Sequence, residues 1–134
     1  MGSFSDFLEL ELLDHVFGAA SYTAPATLYI ALSTTTPTDS GSNFTEPSGN
    51  NYSRAAVTNN ATNFPAAAAG AKANGTAITF ATASGSWGTV THFGIYDASS
   101  GGNLLGWGAL GTSKSIASGD TASFAIGDLD ITLD

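Results

Sequence analysis

Residues 86–97 read Ser86-Trp87-Gly88-Thr89-Val90-Thr91-His92-Phe93-Gly94-Ile95-Tyr96-Asp97, and residues 103–110 read Asn103-Leu104-Leu105-Gly106-Trp107-Gly108-Ala109-Leu110. Two apolar runs separated by a Ser/Gly cluster predict a β-hairpin, because glycine supplies the positive φ that a tight turn requires. Both tryptophans of the chain lie in these runs. We therefore expect this hairpin to carry a large share of the buried apolar surface.

The composition is typical of one β-rich domain with few charges. The chain has 134 residues, of which 43% are hydrophobic and only 10% are charged, whereas about 25% are charged in ordinary soluble domains. Threonine and aromatic residues favour strands, and Gly, Ser and Asn favour turns. Together with the length, these features predict a single mainly β domain that spans residues 1–134.

The net charge excludes some partners. Three basic and eleven acidic residues give a formal charge of -8, which repels a phosphate backbone, so we expect no direct binding to nucleic acid. The absence of cysteine excludes disulfides and thiolate metal sites and is compatible with synthesis in a reducing cytoplasm. We expect no secretory signal and no membrane span, because the N-terminus lacks the required pattern and no apolar run is long enough.

An amphipathic helix is predicted at the N-terminus, within residues 1–18. Its apolar residues at helical spacing are Phe4, Phe7, Leu8, Leu12, Leu13 and Val16. Ser3 with Asp6 approximates a capping box, and Gly18 fits the end of the helix. Two roles stay open for this helix, since it either completes the core of its own chain or docks on a neighbouring subunit.

The rest of the chain predicts strands joined by turns. The expected strands are residues 26–33, 53–58, 77–81, 89–97, 104–110, 114–116, 121–126 and 129–133. Because they do not alternate with helices, they predict an antiparallel β-sandwich or jelly-roll-like domain with one N-terminal amphipathic helix. Residues 34–51 are a long, turn-rich loop that we expect to interact with a partner. Residues 59–75 are a second irregular stretch, in which residues 66–70 are expected to form either a short helix or a flexible loop.

The polar residues predict no reaction and no cofactor. The chain has no Gly-x-Ser-x-Gly elbow, and Asp14 and His15 point to different faces of the predicted helix, so we expect no enzyme activity. Asp128, Asp130 and Asp134 share one parity on the last predicted strand, where carboxylates can gather calcium. A solvated acidic strand face needs no ligand and discourages edge pairing, so we predict no metal site.

The aromatic residues allow two interpretations. Trp87, Trp107, Tyr52 and Tyr96 are candidates for a sugar-stacking platform, but we favour core packing for them. For contacts with other subunits, the candidate residues are Phe4, Phe7, Leu8, Leu12, Phe44, Trp87 and Trp107.

Several blocks of the chain are familiar. They are residues 4–9 (Phe4-Ser5-Asp6-Phe7-Leu8-Glu9), 12–18, 22–32, 52–54, 77–80, 87–97, 108–110 and 118–120. Together they resemble a family of small virion proteins of tailed bacteriophages that are often labelled tail-fibre proteins. The most specific block is residues 87–97, and the resemblance covers nearly the whole chain.

The resemblance implies a non-enzymatic structural protein of a phage particle, made in the bacterial host cytoplasm and located in the virion. Because the chain lacks the long repeats of a fibre shaft, we expect a capsid decoration or cement protein that contacts the major capsid protein as a homo-oligomer. The alternatives are a tail, fibre or baseplate accessory protein that contacts tail subunits, and a host-glycan-binding module displayed on the virion.

Replacing both Leu8 and Leu12 by aspartate distinguishes the two roles of the helix. If the helix docks on a neighbour, the variant keeps its fold and loses assembly. If the helix completes the core, the variant unfolds, because burying an unpaired charge costs several kcal/mol. Circular dichroism reports the fold and sedimentation reports the assembly.

Overall fold

The computed structural model describes residues 2–18 and 20–133. Within these residues the chain forms β1 (Gly2–Phe4), α1 (Asp6–Val16), β2 (Thr27–Ser33), β3 (Ala55–Thr58), β4 (Ala71–Ala73), β5 (Ile78–Thr79), β6 (Gly88–Tyr96), β7 (Leu104–Ile116), β8 (Ser123–Phe124) and β9 (Asp130–Thr132). The predicted mainly β fold with one N-terminal helix is confirmed.

Most strands belong to one large sheet, in the order β3-β2-β6-β7-β1-β9-β4. Its neighbouring strands run antiparallel, except that β1 and β9 run parallel. β5 and β8 form a separate antiparallel ladder. This ladder covers the inner face of the large sheet, where the rings of Phe124 and Phe93 meet edge to face with centroids 5.8 Å apart. The core therefore lies between two layers of unequal size.

β6 and β7 form the predicted hairpin, with an irregularity in the second strand. Val90 pairs with Lys114, whereas His92 pairs with Ala109. Residues 110–113 therefore bulge out of the ladder, and the two strands predicted at 104–110 and 114–116 are one continuous, bulged strand. Such bulges bend a strand and increase its twist.

β6 is buried on both faces. Val90, Phe93 and Ile95 point into the inner core, which also holds Trp87 and the ring of Phe124. On the outer face, a second cluster is formed by Ala31, Tyr96 and Leu104, with Tyr29, Phe44 and Trp107 packed against it. Because residues of the outer cluster are also shielded from water, the sheet requires a cover on that side, and Phe44 of the 34–51 segment contributes to it.

The start of the predicted helix is wrong by several residues. Gly2–Phe4 form β1, which pairs with β7 so that Gly2 lies opposite Gly108. A Cβ at Gly2 would lie 2.7 Å from the carbonyl oxygen of Trp107, so this close approach requires glycine. The backbone N–H and C=O groups of this segment form hydrogen bonds with β7 instead of with a turn of helix.

The helix begins instead at a cap that also anchors it. The Ser5 hydroxyl oxygen accepts a hydrogen bond from the Leu8 N–H at 3.3 Å, which is the pattern of an N-cap. The same hydroxyl donates to the carbonyl oxygen of Leu104. The backbone N–H of Ser5 donates to the carbonyl oxygen of Leu105 at 2.9 Å. One serine thus starts the helix and fixes it to β7.

The 59–75 stretch contains a strand that the sequence did not reveal. Ala68 and Ala71 exchange backbone hydrogen bonds of 2.9 and 3.0 Å, and Ala69 and Gly70 between them have φ values of 51° and 77°. This tight turn leads into β4, which pairs with β9. Residues 66–70 form no helix, so the loop alternative describes them, while β4 was missed because alanine and lysine give no alternating pattern.

The Leu8→Asp/Leu12→Asp variant is expected to be strongly destabilised. Leu8 packs against the inner core and Leu12 is half-buried, so the carboxylates would be placed at an apolar contact. Thermal unfolding should show a clearly lowered midpoint. The matched control, Leu10→Asp/Leu13→Asp, changes exposed positions of the same helix and should keep the wild-type midpoint of the monomer. Equal midpoints for the two variants would contradict the described docking.

Gly94→Ala should destabilise the protein. A Cβ at this position of β6 would lie 2.5 Å from a ring atom of Phe44, so the covering segment must move, at a cost of about 1–3 kcal/mol. Gly111→Ala in β7 is the matched control, because no atom lies within 4 Å of its Cβ position. Urea unfolding measures both variants, and an unchanged midpoint for Gly94→Ala would refute the close contact.

Candidate assembly surface

α1 packs on the sheet through a narrow, partly buried side. Phe7 and Leu8 pack against the inner core, and Glu11 and Leu12 are half-buried. No residue of the helix is fully buried. The helix therefore lies on the sheet and leaves most of its surface to the outside.

The opposite face of α1 is apolar and exposed. The exposed fractions are 64% for Leu10, 54% for Leu13, 64% for Val16 and 78% for Phe17, the C-cap residue. At 100° per residue, Leu10 and Phe17 project roughly opposite to Leu8. Single exposed leucines are ordinary, but a cluster of apolar residues on one helix is a candidate interaction site. We call Leu10, Leu13, Val16 and Phe17 the outer helix face.

The charges of the helix are acidic. Asp6, Glu9, Glu11 and Asp14 lie on it, and it contains no lysine or arginine. Asp6 and Glu9 occupy the first turn, where negative charge is favourable for the helix dipole. The outer helix face is thus an apolar surface with acidic residues beside it.

An apolar groove of about 580 Å³ runs beside α1. It lies between the helix, the segment that follows it and the β4–β9 edge of the large sheet. Its lining includes Leu8, Leu12, Tyr22, Leu28, Ile131 and Leu133. The charged residue at this groove is Lys72, which faces Ile131 across the β4–β9 ladder. The volume of the groove is within the range of protein pockets that bind ligands or side chains.

The candidate interaction residues fall into three places. Phe4, Leu8 and Leu12 line the groove together, while Phe7 packs against the inner core. Phe44 and Trp107 belong to the outer cluster. Trp87 is buried in the inner core with 4% of its surface exposed.

The outer helix face was not singled out from the sequence. Leu10, Leu13 and Phe17 have the i, i+3, i+7 spacing of a helical stripe. The predicted helix groups Leu13 and Val16 with Leu8 and Leu12, whereas the structure leaves Leu13 and Val16 exposed. Apolar residues lie on more than one side of this helix, and the sequence alone does not tell which side packs on the sheet.

The four aromatic candidates for a sugar platform do not form one surface. Tyr52 packs with Trp87 at the inner core, where their ring centroids are 5.1 Å apart. The Nε1–H of Trp87 donates to the carbonyl oxygen of Asn50 at 2.9 Å. Tyr96 and Trp107 lie in the outer cluster instead. Since two members lie on each side of the sheet, they cannot stack on one sugar.

Trp107 is held by its neighbours on the outer face. Its Nε1–H donates to Oδ1 of Asp39 at 2.9 Å, and its ring lies 5.9 Å from that of His92. Burial lowers the pKa of His92. The Nδ1 atom of His92 is 2.8 Å from the Thr91 hydroxyl. Because Asp39 belongs to the long loop of residues 34–51, its contact with Trp107 attaches this loop to the outer cluster.

The long loop is fixed by an ion pair. Arg54 donates from Nε to Oε1 of Glu46 at 3.1 Å and from Nη2 to Oε2 at 2.8 Å. Its Nη1 donates to the carbonyl oxygens of Ala98 and Gly101, at 2.7 and 2.9 Å. The guanidinium also lies 3.7 Å from the ring centroid of Tyr96. Because this side chain is only 6% exposed, the contact is a structural clamp between the loop and the β6–β7 turn.

Tyr52 extends the clamp to β2. Its hydroxyl donates to Oε1 of Glu46 at 2.8 Å and accepts from the Leu32 N–H at 3.0 Å. Burial, reinforced by the charge of Glu46, raises the pKa of Tyr52 well above its usual value. The phenol therefore stays protonated in the folded protein.

The acidic strand offers no assembled metal site in the described part of the chain. Asp128 is exposed and Asp130 is half-buried, while Asp134 lies outside the described residues. Within residues 2–18 and 20–133, no three His, Cys, Asp or Glu side chains are grouped so that they could hold a metal ion.

A mainly β chain that exposes an apolar helix face beside an apolar groove has the features of an assembly subunit. Residues 3–132 match the model of the family described as Podophage GP4 fiber I protein gp80. The chain belongs to this family of phage fibre proteins, so the resemblance to phage virion proteins is confirmed. No curated protein matches the chain. In the described ranges, no helix is long and apolar enough to span a membrane.

The stability of the protein should fall at alkaline pH. The folded state keeps the Tyr52 proton above about pH 10, where an unfolded tyrosine loses it. Since the unfolded state then binds fewer protons, the free energy of unfolding falls as pH rises, by up to about 1.4 kcal/mol per pH unit for one tyrosine. Urea unfolding over this pH range tests the effect. Tyr52→Phe should reduce the slope, and an unchanged slope would contradict the assignment.

Proposed function

We propose that the protein is a non-enzymatic structural subunit of a phage fibre and that it acts in the adsorption apparatus of the virion. The family description names a fibre protein, and the match extends over residues 3–132. This favours the fibre role over the capsid decoration role that we expected from the size of the chain and its lack of repeats.

The observation that carries an assembly role is the outer helix face. Leu10, Leu13 and Phe17 remain more than half exposed, although the same helix already buries another side against its own sheet. Removing such apolar surface from water stabilises by about 25 cal/mol per Å². This free energy is gained only when a partner covers the helix, so the contact shifts the equilibrium toward the assembled state by mass action.

The polar groups support a structural role. Glu46 and Arg54 bind each other, Tyr52 and backbone carbonyls, so their charges are used to hold the long loop. His15 accepts a hydrogen bond from the Tyr22 N–H at 3.0 Å. In these groups, the hydrogen bonds connect one segment of the chain to another and position no nucleophile beside a base.

A short chain without repeats is compatible with a fibre. Fibres extend either through repeats along one chain or through repeated copies of a small subunit or of a small symmetric assembly of it. The present chain fits the second type of construction, in which the contacts between copies replace the covalent continuity of a shaft.

Location on the particle tests the proposal. Purified protein carrying a gold-labelled tag is mixed separately with isolated tails and with capsids of the phage that encodes it, and binding is read by co-sedimentation and electron microscopy. We expect regular label on tails and none on the shell. Regular label on the capsid would establish decoration and refute the fibre role. Binding to neither, with retention on host glycans, would support the receptor-binding alternative.

A further inference from the structure

We propose that the occupant of the apolar groove is the outer helix face of a second copy of this chain, with the two copies docking reciprocally. This inference deepens the proposed function and rests on it for the biological role of the contact. The groove and the helix face lie on the same molecule, so one twofold axis can cover both sites on both copies.

The first argument is geometric. α1 uses the side that carries Leu8 to lie on its own sheet, and it presents Leu10 and Phe17 on the opposite side. In a pair of copies that face each other, this opposite side points at the sheet of the second copy. The groove there runs beside the second copy's own α1. The result is a layer of two neighbouring helices between two sheets, with apolar contacts on both sides of each helix.

The second argument is electrostatic. The groove is apolar apart from its rim, where the charged lining residue is Lys72, one of only three basic residues in the chain. The outer helix face is flanked by acidic residues, and Asp14 lies one turn after Leu10. A helix with apolar residues and acids beside them therefore complements this groove. A basic helix would meet Lys72 with like charge.

Self-association of the purified protein tests the contact without any phage particle. Sedimentation equilibrium at rising concentration should show a monomer–dimer equilibrium for the wild type. Leu13→Asp should weaken this association roughly tenfold or more, as expected for a central apolar contact. Ile126→Asp is the matched control, because Ile126 is 69% exposed and is not among the residues that line the groove. Circular dichroism confirms that each variant is folded.

Charge exchange tests the groove separately from the helix. Asp14→Lys and Lys72→Glu should each weaken association of the single variants, because each creates a like-charge contact. An equimolar mixture of the two variants should recover association, since both contacts in the mixed pair again join opposite charges. Lys114→Glu is the control for adding a negative charge at another exposed lysine.

Crosslinking identifies which positions of the two copies lie next to each other. The chain has no cysteine, so Leu13→Cys in one copy and Ala67→Cys at the groove of the other are the only thiols in a mixture. Ala67 lines the groove, so oxidation should form a disulfide between the thiol introduced at position 13 of one copy and the thiol introduced at position 67 of the other. The control pair of Ile126→Cys and Ala67→Cys should form no such disulfide.

The proposal is refuted if the wild type stays monomeric at all concentrations, or if Leu13→Asp associates as the wild type does. It is also refuted if Leu13→Asp blocks association while Lys72→Glu has no effect, because the helices would then contact each other outside the groove. A dimer that forms in solution while the protein is absent from tails would support this contact and refute the fibre role, so the two failures are distinguishable.

Discussion

Burial of β6 on both faces is the constraint on which the rest of the structure depends. A two-layer β domain ordinarily needs one covered face per sheet, but Phe93 and Ile95 point inward here while Tyr96 packs outward. The outer side is therefore closed by residues 34–51, and Glu46 and Arg54 tie this segment down. The long loop is thus held as part of the fold, and its contact with a partner stays a prediction.

The elements with strong local patterns could be predicted from the sequence. The strands around Leu32, Phe93 and Leu105 alternate or form apolar runs, and the helix is rich in apolar residues at helical spacing. β1 was missed because Phe4 fits the helical spacing and Ser3 resembles a helix cap, and only the close backbone approach to β7 reveals the strand. β4 consists of Ala71-Lys72-Ala73, which carries no alternation, so its pairing depends on β9 from the far end of the chain.

The candidate site was predicted only in part, for a related reason. The sequence indicated that α1 takes part in contacts, and Leu8 and Leu12 were among the candidates. Helical spacing identifies apolar stripes but does not say which stripe the sheet will occupy. In this chain Ser5 settles the matter, because its hydrogen bonds to Leu104 and Leu105 fix where the helix begins and how it is rotated. Leu10 and Phe17 are outward as a result.

The bulge at residues 110–113 has a practical consequence. These residues leave the β6–β7 ladder between the pairs His92–Ala109 and Val90–Lys114, and residues 111–113 are exposed. Exposed segments outside the hydrogen-bonded ladders are the positions where a chain tolerates added residues. The bulge also contributes no residue to the lining of the groove. It therefore provides a point at which a fluorophore or a short peptide can be carried by each subunit while the helix and its groove stay unmodified.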